Sequence, residues 1–484
     1  MINEFQNITD IFVPDSLSVD DSNHSEYYDI QTNFIRHLYI KINILDQENK
    51  IVNEVSGKAI DGSYNINSES TVRRTCNLTF NLENGYLPNE NSPFWINKKF
   101  QLYIGLKHIN FDKIYWFNKG VYLINNPEIS VSIANNTISI SGLDKMALFN
   151  GDISGQLQVN TLAEAKDGVT KRDVIKALMV ANNESEDKIF IFNPHTINNK
   201  IMDEQIPYNI ESNIGDTVTT VLDKIIELLA NYEYYYDING NFIFKPKPMN
   251  SNYKDYFIVW DFEKYNNLII SVNRNIDYSN VKNRVTIWGG IHEDGYQPSY
   301  ILKLEDSNDF YISPFTATNL GEKYYRDYVE QCDDYVDTIL NFDVSVGNYY
   351  PYNSCVEFLG KYYLCINPNG VESDNDNTPD WDLINWEYIC NSDDSSDIAK
   401  NMQKIHAYSI ALCEQKANEI LFHHHLASET ISITCVPIYS LDVNTVIYIN
   451  DELSGAKGYY VVTEISCQLN ANGTMNITAN KLYD

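Results

Sequence analysis

Ile431–Val436 (ISITCV), Val446–Tyr448 (VIY), Gly458–Cys467 (GYYVVTEISC) and Met475–Ala479 (MNITA) decide how the rest of this 484-residue chain is read. Each segment is dense in β-branched and aromatic residues, which suit a pleated, half-buried surface. Turn chemistry separates them: Pro437, Asn450-Asp451, Ser454-Gly455 and Asn470-Ala471-Asn472-Gly473. The pattern predicts a small antiparallel sheet or barrel. Four short strands bury little core alone, so this unit needs a partner sheet.

A candidate partner lies far upstream. Arg36–Val55 (RHLYIKINILDQENKIVNEV) reads strand, turn, strand, with Leu38, Ile40, Ile42 and Ile44 alternating at the period of two that turns one face to a core. Val72–Asn81, Lys99–Leu106, Lys113–Ile124, Ile129–Ala134 and Thr137–Gly142 continue in the same manner. The expected fold is mainly β with α+β insertions: a multidomain chain whose N- and C-terminal parts each supply one β-barrel or sandwich unit.

Length and composition set limits. A chain of 484 residues is long enough for roughly three domains and can bury about three quarters of its unfolded surface. Its formal charge of -31, from 66 Asp+Glu against 35 Lys+Arg, argues against a static grip on nucleic acid, where Lys and Arg must neutralise phosphates. No run of eighteen apolar residues occurs, so no membrane span is predicted. Met1–Val13 has neither the basic start nor the apolar centre of a secretory signal. Eight scattered cysteines without a CxxC point to a reduced, cytosolic setting. Cys355 and Cys365 flank the Leu359-Gly360 turn of an expected hairpin, close to facing one another. They are read either as a bonded pair or as two buried thiols.

In chain order, residues 1–35 are polar and acidic and are expected to form an extended arm. The first β-barrel domain covers 36–145. Residues 146–260 change rhythm: Lys171–Ala181 and Thr217–Asn231 each carry an apolar helical stripe, Val174, Ile175 and Leu178 on one and Val221, Leu222, Ile225, Leu228 and Leu229 on the other. Asp216 is the expected N-cap of the second helix. Tyr232–Phe244 forms two aromatic strands around Asn239-Gly240, a strong hairpin signal. Return strands, Tyr278–Gly289 among them, and the start of a second barrel occupy 261–334. A small β module fills 335–395. One long helix, Asp397–Leu426, then leads into the terminal strands across 396–484.

That order, arm, β unit, helical insertion, return strand, long helix and closing β unit, resembles the tail hub family of long-tailed bacteriophages. The likeness is carried by Ser56–Thr79 (SGKAIDGSYNINSESTVRRTCNLT), Val281–Gly289 (VKNRVTIWG), Val436–Ile449 (VPIYSLDVNTVIYI), Gly458–Ile465 and Gly473–Ala479 (GTMNITA). The resemblance implies a homotrimer in which two similar barrels per chain alternate around a ring. Such a ring matches a six-fold tail tube above to a three-fold spike or fibre below. It further implies tail tube and baseplate proteins as partners, DNA only in passage, and a place at the virion tail tip after assembly in the host cytoplasm. An acidic channel wall suits DNA that must not be held.

Within the 335–395 module, Asn348–Ile366, Thr378-Pro379 and Trp381–Ile389 resemble the small chitin-binding-type carbohydrate module, with Val356, Gly360, Lys361, Tyr362, Tyr363, Pro379 and Trp386 at its pattern positions. The resemblance implies host-glycan contact through ring stacking at Tyr350, Tyr352, Tyr362, Trp381 and Trp386. The competing reading makes Tyr362 and Trp386 core, because so small a module has little else to bury.

Other constellations are read as structural. Adjacent residues of His423-His424-His425 point about a hundred degrees apart on a helix and cannot converge on one ion. Asp374–Asp376 and Asp393-Asp394 lack the alternating spacing of a calcium loop. Tyr234–Tyr236 and Tyr324-Tyr325 are assigned to sheet faces or subunit contacts. GxSxG, HExxH, P-loop and GxGxxG motifs are absent from the sequence. The expectation is a structural protein with no catalytic residue, metal or cofactor. The alternatives are a receptor-binding tail protein and a tail-associated cell-wall-degrading enzyme.

Overall fold

The computed structural model describes residues 30–482 apart from 33–36, 47–48, 57–58, 83–86, 97, 108–113, 133–135, 165–168, 194–200, 207–208, 230–231, 248–257, 306–314, 317–318, 320–324, 334, 337–338, 345–346, 375–377, 426–427 and 471. The expected N-terminal arm lies almost wholly outside the described residues, as do Tyr324 and, of the Asp374–Asp376 cluster, Asn375 and Asp376.

Seven strands come first: β1 (His37–Leu45), β2 (Ile51–Ser56), β3 (Ala59–Asn67), β4 (Arg74–Asn81), β5 (Lys99–Lys107), β6 (Ile114–Val131) and β7 (Asn136–Asp144). They pair antiparallel in the spatial order β3-β4-β7-β6-β5-β1-β2. The sequence alternation is the cause: on β4, Cys76, Leu78 and Phe80 are buried while Asn77 and Asn81 are exposed, and on β5 Phe100, Leu102 and Ile104 turn inward. The long β6 shifts register between Ile124 and Pro127, where proline cannot donate to the ladder.

The insertion follows, as β8 (Thr161–Ala163), α1 (Lys171–Ala181), β9 (Ile189–Ile191), β10 (Ile210–Ser212), α2 (Val218–Ile226), β11 (Tyr232–Tyr236) and β12 (Phe242–Pro246). Thr170 and Asp173 close a capping box on α1. The N-cap of α2 is Thr217, whose hydroxyl accepts from the Thr220 amide, and not the expected Asp216. The Asp216 carboxylate is engaged instead by the Asn213 amide of the preceding turn, at 2.8 Å. Gly240 takes a φ of 76° in the β11–β12 turn, which only a residue without Cβ adopts freely. The apolar stripes of both helices enter a second core with Phe242 and Phe244.

Next come β13 (Ile258–Asp261), β14 (Ile269–Asp277), β15 (Arg284–Gly289), β16 (Ser299–Lys303) and β17 (Asp327–Cys332). β15 is the centre of a three-stranded sheet, antiparallel to β16 and parallel to β17. The module then contributes β18 (Leu340–Asn341), β19 (Tyr349–Tyr350), β20 (Cys355–Phe358), β21 (Lys361–Cys365), β22 (Val371–Glu372) and β23 (Trp386–Asn391). Leu359 and Gly360 have φ of 51° and 72° and make the two-residue turn of the β20–β21 hairpin. Cys355 pairs with Leu364 in that hairpin, which puts Cys355 and Cys365 on opposite sheet faces and in separate apolar clusters. The expectation that they face one another is therefore corrected; neither cysteine is in a disulfide.

Two helices replace the single long one: α3 (Ser395–Ile405), capped by Asp394, and α4 (Ala407–His424). His406 leaves helical geometry between them with φ -103° and ψ 28°. The last strands are β24 (Ser428–Cys435), β25 (Val446–Asp451), β26 (Ala456–Gln468) and β27 (Met475–Lys481).

The two ends of the chain meet in one sheet. Its path is β14-β24-β27-β26-β3-β4-β7-β6-β5-β1-β2, with β25 and β13 branching beside β26. β26 makes the join with a single edge. Residues 456–461 of that edge pair with β25, and 464–468 pair with β3, from Glu464↔Asn67 to Gln468↔Ser63. Ile42, Leu78 and Phe100 of the first unit and Ile433, Ile465 and Ile477 of the second share one apolar cluster.

Candidate functional site

The first site is the place where three parts of the chain converge. Arg73 and Arg74, at the start of β4, are both buried. Arg73 Nη2 donates to Glu233 Oε2 of the insertion at 2.5 Å, and its guanidinium lies 3.8 Å from the Tyr235 ring centroid. Glu233 Oε2 also accepts from Asn444 Nδ2 at 2.6 Å. Arg74 turns the other way, donating from Nη2 to Asp442 Oδ2 of the C-terminal unit at 2.5 Å. One arginine dipeptide thus binds the first β unit to the insertion and to the second unit.

The electrostatics follow from burial. Burial acts to raise the Glu233 carboxyl, but the charges of Arg73 and Lys245 overcome it and hold the group below its ordinary range. Asp144 caps the turn after β7 and accepts from the Arg74 and Met146 amides at 2.9 and 2.8 Å. Burial still outweighs those bonds and pushes its carboxyl up to about 6. Burial likewise brings the buried Lys119 ammonium, which donates to the Leu441 carbonyl at 3.4 Å, down to about 8.

The second site is the module. Tyr350 and Trp386 are each 1% exposed and pack edge to face, ring centroids 5.7 Å apart, with Phe342 completing the cluster. The Tyr350 hydroxyl accepts from the Asp343 amide at 2.9 Å. The expected glycan stacking on Tyr350 and Trp386 is corrected by this placement: they form the apolar core on one face of the module's sheet, and both rings are buried. Tyr362 is half-buried on the opposite face, against the cluster of Cys355, Ile389 and Cys390. Tyr352 and Trp381 stand on the surface, 47% and 81% exposed.

The histidine run does not converge. His424 Nδ1 lies 2.9 Å from the Asn280 carbonyl oxygen, His425 is buried, and the His423 side chain is outside the described residues. Among the described residues, no group of three or more His, Cys, Asp or Glu is arranged to hold a metal ion. No helix among them is long and apolar enough to cross a membrane. A cluster that sequence reasoning missed surrounds His406, whose Nε2 lies 2.7 Å from Asp294 Oδ2. His292 packs with a ring centroid at 4.0 Å, and Tyr296 stacks at 4.9 Å. It fixes the α3–α4 break to the β15–β16 turn.

No family model matches the chain, and no curated protein does. Solved structures do. The tail protein from Neisseria meningitidis MC58 is similar at 10% identity and a TM-score of 0.50, over 92% of this chain and 96% of that one. The 43 kDa tail protein of prophage MuSo2 from Shewanella oneidensis is similar at 10% identity and a TM-score of 0.45, over 91% of this chain and 98% of that one. The first comparison shows a common fold, mainly β and multidomain, along nearly the whole chain.

Proposed function

We propose that this chain is the structural hub subunit of a phage tail tip or baseplate. Three copies close into a ring that adapts a six-fold tail tube above to a three-fold spike or fibre below, around a channel that DNA crosses without being held. The chain is divided for this task as the sequence suggests, with the two β units at 36–145 and 261–334 plus 396–484 forming the ring, and the 146–260 and 335–395 segments lying outside it. Its partners are tail tube and distal tail proteins, its place is the virion, and it assembles in the host cytoplasm. Catalysis has no part in this reading.

One observation carries it: β26 pairs with β3, so two strand-built units from opposite ends of the chain stand side by side in one sheet. Among the described residues, the main path of that sheet ends in β2 and β14 and its branch ends in β13, each paired along one edge only. A subunit whose free edges differ makes heterologous contacts, and these close into a ring when the rotation between copies allows it. The fold held in common with the Neisseria tail protein supports the assignment, as does the charge of -31. A density map of the assembled tip tests it. The expected result is three copies in one ring with six strand-built lobes facing the channel. Lobes stacked along the axis, or a ring of six copies, would overturn it.

A further inference from the structure

Trp381, Leu383 and Ile384 are 81%, 67% and 86% exposed, three large apolar side chains within four residues of one turn. The turn is firmly built. Trp381 and Asp382 amides donate to the Thr378 carbonyl at 3.0 and 2.8 Å, and Asn385 and Trp386 amides to the Asp382 carbonyl at 3.2 and 3.0 Å. Asn385 Nδ2 donates to Asp382 Oδ2 at 2.6 Å, while Asn385 Oδ1 accepts from Asn367 Nδ2 at 2.8 Å. Pro379 and Trp386 anchor it from beneath, both buried. The backbone therefore holds the three side chains in water instead of letting them fold back.

Three kinds of occupant are distinguishable by chemistry. A sugar needs polar groups for its hydroxyls, yet Asp382, Asn385 and Asn367 already bond to one another, and Leu383 and Ile384 have nothing to offer it. A protein partner needs an interface of roughly 20–30 residues a side, whereas this wedge is three exposed side chains within one four-residue stretch. A bilayer accepts a wedge of any size, with Trp at headgroup depth and aliphatic side chains below it. Charge selects the kind of bilayer. No Lys or Arg lies between Lys361 and Lys400, while Glu372, Asp374, Asp376, Asp380, Asp382, Glu387, Asp393, Asp394 and Asp397 do. An anionic surface repels that segment.

We propose that the 378–386 turn is a membrane wedge that inserts Trp381, Leu383 and Ile384 into the headgroup–acyl boundary of a zwitterionic bilayer. Flotation of the full-length chain with vesicles tests it, and vesicle binding is read without any need for ring assembly. The chain is expected to float with phosphatidylcholine vesicles, and less with vesicles half composed of phosphatidylglycerol, a loss that added salt reverses. Trp381→Ser and Ile384→Ser, both at exposed positions, each weaken flotation by roughly tenfold with an unchanged thermal melt, whereas Tyr352→Ser leaves it as it was. Failure of the wild-type chain to float, or equal flotation of the variants, overturns the proposal. So does a glycan-array signal that Trp381→Ser abolishes without any flotation, and so does self-association that Ile384→Ser abolishes, which would assign the wedge to a sugar or to a second copy.

Discussion

The arginine junction and the module solve opposite problems with buried side chains. At the junction, apolar surface is plentiful, and the chain buries ions: Arg73 on Glu233 and Arg74 on Asp442. In the module apolar surface is scarce, so Tyr350, Trp386 and Phe342 are all committed to the core, and the remaining large apolar side chains of the 378–386 turn stay outside. The contrast teaches that a buried charge here reports a join between parts of the chain, while a buried ring in the module reports nothing but folding. Specificity of assembly is expected to reside in the former and ligand contact in side chains the module's core did not use.

The sharpest way to break this contrast is at the junction. Arg74→Leu leaves Asp442 buried without its partner, and loss of one member of a buried pair costs about 3–5 kcal/mol. Denaturant unfolding is expected to report that loss, with most of it recovered in the double variant Arg74→Leu, Asp442→Leu. A double variant as unstable as the single one would show that the pair itself is not what joins the units. In the module the comparable change is Trp386→Ala, expected to cost about 3–5 kcal/mol through the cavity it leaves. Trp381→Ala at the exposed position should change stability by about 0.5 kcal/mol or less. Limited proteolysis within 335–395 separates the two: rapid cleavage for Trp386→Ala, wild-type rates for Trp381→Ala.

Local chemistry made much of this legible. The period of two on β1 and β4, the Asn239-Gly240 hairpin and the Leu359-Gly360 turn need only neighbours in sequence, and the structure has strands and turns there. What failed was decided at long range. Ile398, Met402, Ile405 and Ile410 keep helical period straight through His406, so nothing local marks the break; its cause is Asp294, 112 residues away. The doubled arginine of β4 was visible, but Glu233 and Asp442 stand 160 and 368 residues from their partners. Among the aromatics, Tyr350 and Tyr352 share a parity that would place both on one face of a continuing strand. β19 stops at Tyr350, and Pro351 turns the chain so that the second ring faces water.

The junction also carries a pH signature. Asp144 is fully buried and titrates near 6 in the folded chain, above an ordinary carboxylate near 4. A raised folded value means that the folded state holds the proton more tightly. The stability this group contributes is complete below about pH 4 and is lost as pH rises through about 6. Its size is on the order of 2–3 kcal/mol. Glu233 is shifted the other way, so its contribution is present above its unfolded value and lost on acidification. In Asp144→Asn the decline between pH 4 and 6 should flatten, leaving the acid-side loss due to Glu233. An unaltered pH profile in that variant would show that Asp144 does not titrate in this window.

A small and local effect belongs to the contact that ties the module to the rest. His406 is buried while Asp294 is one-third exposed. Burial acts to raise the Asp294 carboxyl, but the Tyr296 amide and His406 hold it below its ordinary range. Stability from this aspartate is therefore present above pH 4 and lost as pH falls through the lowered value. Partial exposure screens the pair, so Asp294→Asn is expected to cost about 1 kcal/mol or less in global unfolding. Because His406 sits at the break between the helix that packs on β23 and the helix that packs on β15 and β16, the loss should be concentrated locally. Hydrogen exchange in Asp294→Asn is expected to quicken in residues 400–410 before it changes in β26 or β3. Uniform quickening across the sheet would instead make Asp294 part of the global fold and remove the distinction between a tightly joined core and a separately hinged module.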